Sequence, residues 1–293
     1  MAGMVDAVVS QHVRGLPAAP LRPFIRWYSG YRDVGVEPAV HRGLPSPYLT
    51  VIVTLDDPLD VAAHPDPAAP PDRYDSLVGG LHTTPALIVH NGRQSGIQLA
   101  MSPLGARALL GMPAGELARV DLHGADVLGP CVGPLRERVQ AASGWAGRFA
   151  VLDEFLLRRL DANPAALPRP EVVRAWRRIL GTGGAEPVAA LAREVGWSAR
   201  QLSGQFATEI GLSPKAAARV VRFDAARRAL HSGFAEGRDL ALAELAAEAG
   251  YFDQAHLARD FTGFAGCPPG RWLREEFRNV QAAAARAVPD SPA

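Results

Sequence analysis

The sequence predicts an α+β N-terminal domain, a small antiparallel sheet plus helices, followed by an all-α domain carrying two helix-turn-helix motifs. Three observations predict it. Short runs of β-branched residues separated by turn signals occupy residues 48–101, the pattern of strands. Three prolines fall in the ten residues 161–170, DANPAALPRP, a composition that stops a helix and suits a linker. Beyond that break, one arrangement of apolar anchors, glycine turn and second helix occurs twice. The expected domains are therefore 1–165 and 166–280, with 281–293 as a disordered tail.

In the N-terminal part, Tyr48–Leu55 (YLTVIVTL) is predicted as a strand, entered after Pro45 and Pro47 and left at Asp56-Asp57-Pro58. Residues 60–76, rich in Ala, Pro and Asp, read as a loop. Strands are expected at Ser76–Leu81, Ala86–His90 and Gly96–Met101, the last two as a hairpin about Asn91-Gly92. The pattern then turns helical. Ser102-Pro103 can cap a short helix through Leu110, Pro134–Ala142 is a second, and Arg148–Leu160 is the third. The last places Phe149, Leu152, Phe155, Leu156 and Leu160 on one side. That face suits burial inside the domain or a helix-pair contact in a homodimer.

Chemistry-bearing motifs are sparse here. There is no GxSxG and no phosphate-binding glycine loop. His41, His82 and His90 fall on or near strands but form no HxH or HxxxH pair, so no metal and no cofactor are expected. Arg26, Trp27, Tyr28 and Tyr31, with His41, are the candidate effector-binding residues. Aromatic rings supply contact area and arginine fixes orientation in a ligand pocket; the same residues can equally pack the sheet and its rim.

After the proline-rich break, helical spacing resumes with Val172, Val173, Trp176 and Ile179-Leu180 and ends at Gly181–Gly184. The repeat follows. Val188, Leu191, Ala192, Val195 and Gly196-Trp197 match Leu242, Leu245, Ala246, Ala249 and Gly250-Tyr251 at an offset of 54. Leu202, Phe206, Gly211, Pro214 and Arg219 match Leu257, Phe261, Gly266, Pro269 and Arg274 at an offset of 55. One inserted residue near the turn accounts for the step. The motifs span 188–211 and 242–266, and a helix over 214–231, capped by Ser213, links them. At about 1.5 Å per residue that helix is roughly 27 Å long, against roughly 34 Å between successive major-groove faces on one side of DNA.

These residues resemble the C-terminal DNA-binding domain of the AraC/XylS family of bacterial transcriptional regulators. The second motif, GYFDQAHLARDFTGFAGCPPGRWL, carries most of the likeness, with Gly250, Asp253, Gln254, His256, Arg259, Phe261, Gly266 and Pro269 on the family's recurrent positions. The first, LAREVGWSARQLSGQFATEIGLSPKAAAR, matches more loosely. The likeness spans roughly Glu171–Arg278. Gly204 stands where a basic residue is usual, Ala255 where a small hydroxyl residue is, and Thr262 where lysine is common. The run His41–Val53 is similar, more weakly, to the start of sensory domains that precede this module in one branch of the family.

Major-groove reading requires exposed side chains near the start of each second helix. The candidates are Ser198, Arg200, Gln201, Ser203 and Gln205 in the first motif, and Asp253, Gln254, His256 and Arg259 in the second. Asp253 also suits a helix cap. Lys215 and Arg271, near the next helix starts, are placed to meet phosphates. The expected function is sequence-specific binding of double-stranded DNA under a small-molecule effector, with RNA polymerase and a homodimer as further partners and no enzymatic activity. Two alternatives stay open: a helical protein-interaction module, and a metal-binding cupin-like enzyme fused to a DNA reader.

Charge fits these readings without deciding among them. The chain's net charge is +1, but residues 168–293 hold 17 Lys and Arg against 14 Asp and Glu. A modest basic bias suits a nucleic-acid surface. The two isolated cysteines, Cys131 and Cys267, argue against a zinc finger or a disulfide framework. No apolar run reaches the roughly 18 residues that span a membrane, and the N-terminus lacks the pattern of a signal peptide. A reducing cytoplasm is the expected setting.

Overall fold

The computed structural model describes residues 8–163, 167–238 and 241–276. The expected boundary at 165–166 and the expected tail over 281–293 lie outside the described residues. Among the described residues ten strands lie in the N-terminal part: β1 (Val9–Gly15), β2 (Ile25–Val34), β3 (Ala39–Gly43), β4 (Leu49–Thr54), β5 (Leu59–Ala63), β6 (Asp72–Tyr74), β7 (Ser76–Gly79), β8 (Ala86–His90), β9 (Arg93–Met101) and, after the first helix, β10 (Asp121–His123). They form a six-stranded sheet in the order β1-β2-β9-β4-β7-β10 and a four-stranded sheet in the order β3-β8-β5-β6. Every pairing is antiparallel. Helices α1 (Ala106–Leu110), α2 (Gly124–Leu128), α3 (Val132–Ala141) and α4 (Gly144–Ala162) complete this part.

Strand β4 holds the centre of the larger sheet, between β9 and β7. Its sequence LTVIVT is buried at every position but Thr50, which is half-buried. Helices lie over one face of that sheet and the second sheet lies over the other, so an unbroken β-branched run is stable where alternation would leave polar groups without water. Helix α4 covers β2. Tyr28 is fully buried there, donating its hydroxyl to Asp153 Oδ1 at 2.7 Å and packing on Phe149. Phe149, Leu152, Phe155 and Leu156 of α4 are buried within the chain, which leaves that face to the domain's own core.

Two expectations are corrected. Ala86–His90 and Arg93–Met101 do not pair with each other. β8 pairs with β3 and β5, whereas β9 pairs with β2 and β4. Asn91-Gly92 is therefore a crossing between sheets. Gly92 takes φ +96°, and a Cβ there would lie 2.4 Å from the Val36 carbonyl, so the crossing needs glycine as strictly as a hairpin would. Residues 60–76 are not one loop: they hold most of β5, all of β6 and the start of β7. Composition hid them because Asp60-Val-Ala-Ala and Asp72-Arg-Tyr are short segments, the first between β8 and β6 and the second at the sheet edge, fixed by cross-strand partners rather than by propensity. Strands β1, β2, β3 and β10 also lie where no strand is predicted.

The helical part consists of α5 (Pro170–Gly181), α6 (Val188–Glu194), α7 (Ala199–Ile210), α8 (Pro214–Ala235), α9 (Leu242–Glu248), α10 (Gln254–Ala265) and a helix over 269–276, α11. Its core is aromatic. Trp176 of α5 meets Phe206 of α7, while Phe223 of α8 meets Phe261 and Phe264 of α10, and Trp272 of α11 closes on Phe261. Helix α8 has 22 residues, four more than predicted, ending at Ala235 rather than at His231. At about 1.5 Å per residue it is about 33 Å long.

Candidate nucleic-acid interface

The repeat seen in the sequence is a repeat of structure. The short helices α6 and α9 both have seven residues, and the second helices α7 and α10 both have twelve. Each second helix opens on a side-chain cap. Ser198 accepts from the Gln201 N–H at 3.2 Å, and Asp253 accepts from the His256 N–H at 2.6 Å. Each closes on a left-handed glycine, Gly211 or Gly266. Capping fixes where the first exposed turn of each helix begins.

Along α7, Leu202 and Phe206 are fully buried, while Arg200, Gln201 and Gly204 are exposed and Ser203 and Gln205 half-buried. Along α10, Leu257 and Phe261 are buried, Gln254, Ala255 and Arg259 exposed and His256 half-buried. Among the described residues Arg200, Lys215 and Arg259 are exposed and in no ion pair, so their full donor capacity is open to a ligand. Arg271 differs: it is paired with Glu275 along α11 at 2.7 Å. His256 accepts the Phe252 N–H through Nδ1 at 3.4 Å, which leaves Nε2 as the outward N–H donor.

The two second helices are braced differently. Asp260 of α10 is buried and takes Arg219 of α8 at 2.7 Å, with that guanidinium lying over the Phe264 ring. The pairing raises the Arg219 pKa, keeping it charged. In α7 the corresponding brace comes from the sheet domain. Buried Glu209 takes Arg107 of α1 in a two-pronged bond, Nε and Nη2 each at 2.8 Å. The 3-10 turn Ala114–Leu117 packs beside it, where a Cβ on Gly115 would sit 2.1 Å from the Thr208 carbonyl. A second contact between the two parts joins Arg42 of β3 to Glu275 of α11. No sequence signal marks the Arg107–Glu209 pair, since 102 residues separate its members.

The candidate effector residues are spread over several environments. A cavity of about 290 Å³ lies at one end of the two sheets, lined by Tyr31, Asp57, Asp60, His90, Arg93 and Gln94 among others. Tyr31 faces it, and the His41 ring lies 6.4 Å from that of His90. Burial, with the neighbouring His90, depresses the His41 pKa to about 4. Tyr28 is in the core, Trp27 stacks under the Arg14 guanidinium at 3.9 Å and Arg26 is exposed on β2. Among the described residues, no three His, Cys, Asp or Glu side chains gather as metal ligands, and no helix is long and apolar enough to cross a membrane.

Residues 191–275 match the family model described as "Helix-turn-helix domain". Residues 13–123 match that described as "Domain of unknown function (DUF6597)". Among solved structures, a probable AraC family transcriptional regulator from Rhodopseudomonas palustris CGA009 is 25% identical over 36% of this chain and 96% of its own, with a TM-score of 0.32. The C-terminal domain of AraT, a response regulator from Geobacillus stearothermophilus, is 24% identical over 36% of this chain and 85% of its own, with a TM-score of 0.33. An apo ToxT variant from Vibrio cholerae strain SCE256 covers 85% of this chain and 96% of its own at 8% identity and a TM-score of 0.50, a likeness of fold. No curated protein matches the chain.

Proposed function

We propose that this chain, which carries an AraC-type helix-turn-helix domain and is a DNA-binding transcriptional regulator, reads two neighbouring major-groove segments under the control of a small-molecule effector. The observation that carries the reading is the pair of twelve-residue helices, α7 and α10, each capped at its start and exposed along one side, on a shared stiff helix α8. Arg200 and Arg259 are suited to guanine O6 and N7, Gln201 and Gln254 to adenine N6 and N7. The His256 Nε2–H suits an acceptor such as guanine N7. Lys215, the second residue of α8, suits a phosphate.

Effector control is supported by the cavity that Tyr31 and His90 line and by the brace between α1 and α7. A ligand that moves the sheet domain acts on α7 directly, through Arg107 and the Ala114–Leu117 turn, and reaches the second motif through the Arg42–Glu275 contact on α11. Because the apolar face of α4 is buried within the chain, a homodimer would use another surface.

Selection of duplexes from a random pool by the full chain, followed by binding titrations at increasing salt, tests the reading. Regulation through DNA predicts an enriched sequence and an affinity that falls steeply with salt, as counterions are released from several phosphates. No enrichment and a flat salt response would instead favour the protein-interaction module.

A further inference from the structure

The two motifs differ at one point in their chain path, and the structure locates it. The first helices α6 and α9 are related by an offset of 54, and the second helices α7 and α10 by 55. Four residues, 195–198, separate α6 from α7, and five, 249–253, separate α9 from α10. Trp197 and Tyr251 correspond at 54, whereas the caps Ser198 and Asp253 correspond at 55. The inserted residue is Phe252.

Phe252 is 92% exposed, more than any other large apolar residue among those described. A phenylalanine left in water forgoes the stabilisation of burial, so this position gains nothing for the fold from its ring. Its backbone is nevertheless held: the Phe252 N–H donates to His256 Nδ1, and the His256 ring meets Tyr251 edge-on at 5.1 Å. The turn therefore fixes where the Phe252 side chain leaves the backbone, immediately before the capped start of α10. Ala255, three residues on, is also exposed. Together they put an apolar spot beside Gln254, His256 and Arg259. In the major groove the one apolar group on a base edge is the thymine 5-methyl.

We propose that Phe252 is a specificity-determining residue of the second motif, packing with Ala255 against a thymine methyl group at the edge of the base step read by α10. This rests on the DNA-reading function proposed above. The first motif lacks the inserted residue and has no equivalent contact.

The test uses the full chain and its selected duplex, with each thymine in turn replaced by deoxyuridine, which removes only the methyl group. At one thymine in the segment read by α10, wild-type affinity should fall about four-fold, the factor that burying one methyl group is worth. Phe252→Ala should lose affinity for the thymine duplex and show no further loss on the deoxyuridine duplex. Circular dichroism and Phe252→Ser check that the loss is not one of folding, which the exposure of the side chain makes remote. Unchanged affinity of Phe252→Ala, or losses from Phe252→Ala and deoxyuridine that simply add, would overturn the proposal while leaving the DNA reading intact. Normal binding with lost transcriptional output would also overturn it, in favour of a protein contact. Failure of the wild-type chain to select any sequence would overturn both.

Discussion

Gly204 sits on the exposed side of α7 with nothing within 4 Å of where its Cβ would be, so it fills neither a close approach nor a strained backbone position. Glycine inside a helix costs about 0.5–1 kcal/mol relative to alanine. Gly204→Ala should stabilise the chain by about that amount in denaturant titration, and Gly204→Arg should additionally strengthen DNA binding by placing a cation on the reading side. Arg259 is exposed and free of ion pairs among the described residues. Arg259→Ala should cost on the order of 1–3 kcal/mol of specific affinity, read as a loss of discrimination at one base position. His41 supplies a pH dependence. Its pKa is about 4 in the folded chain, against about 6.5 unfolded, so the folded state refuses a proton that the unfolded state accepts. The stability it contributes is present above about pH 6.5 and is lost as pH falls toward about 4, by up to about 3 kcal/mol. His41→Asn should flatten that part of the stability profile.

At the scale of elements, the difference between the two reading helices lies in what braces them. Helix α10 is tied to α8 within its own domain by Asp260 and Arg219, whereas α7 is tied to the sheet domain by Glu209 and Arg107. Arg107→Met would leave the Glu209 carboxylate buried and unpaired. The expected loss is about 1–3 kcal/mol, less than for a fully buried pair because Arg107 is a third open to water. Arg107→Met combined with Glu209→Met should recover part of the loss in a double-mutant cycle, and strictly additive losses would argue that the pair is not coupled. What the sequence showed clearly were elements defined by local chemistry. The caps Ser213 and Asp253 lie where they are expected, as do the apolar anchors Leu202, Phe206, Leu257 and Phe261, whereas Ser198, read from the sequence as a base contact, caps α7. What it hid were elements defined by distant partners. Strand β2 is polar and aromatic in sequence and is a strand because β1 and β9 flank it. The Asn91-Gly92 turn signal was real, but which strands it joined depended on a second sheet that local pattern does not reveal. The Arg107–Glu209 brace could not be read at all.

At the scale of the whole molecule, the first helix-turn-helix motif is braced by the sheet domain through Arg107 and Glu209, and the second by α8 and α11. Both heads touch the sheet domain, the first through a buried carboxylate on its second helix and the second through Glu275 on α11. The spacing of the heads rests on α8, whose roughly 33 Å length approaches the roughly 34 Å of one DNA turn. The binding site itself tests this arrangement: selected duplexes sequenced in depth, then footprinted with the wild-type chain and with Arg259→Ala. Two reading heads on α8 predict two constrained blocks about one helical turn apart, with Arg259→Ala relaxing only one of them and an insertion of about half a turn between them abolishing tight binding. A single constrained block, unaffected by inserted spacing, would contradict it.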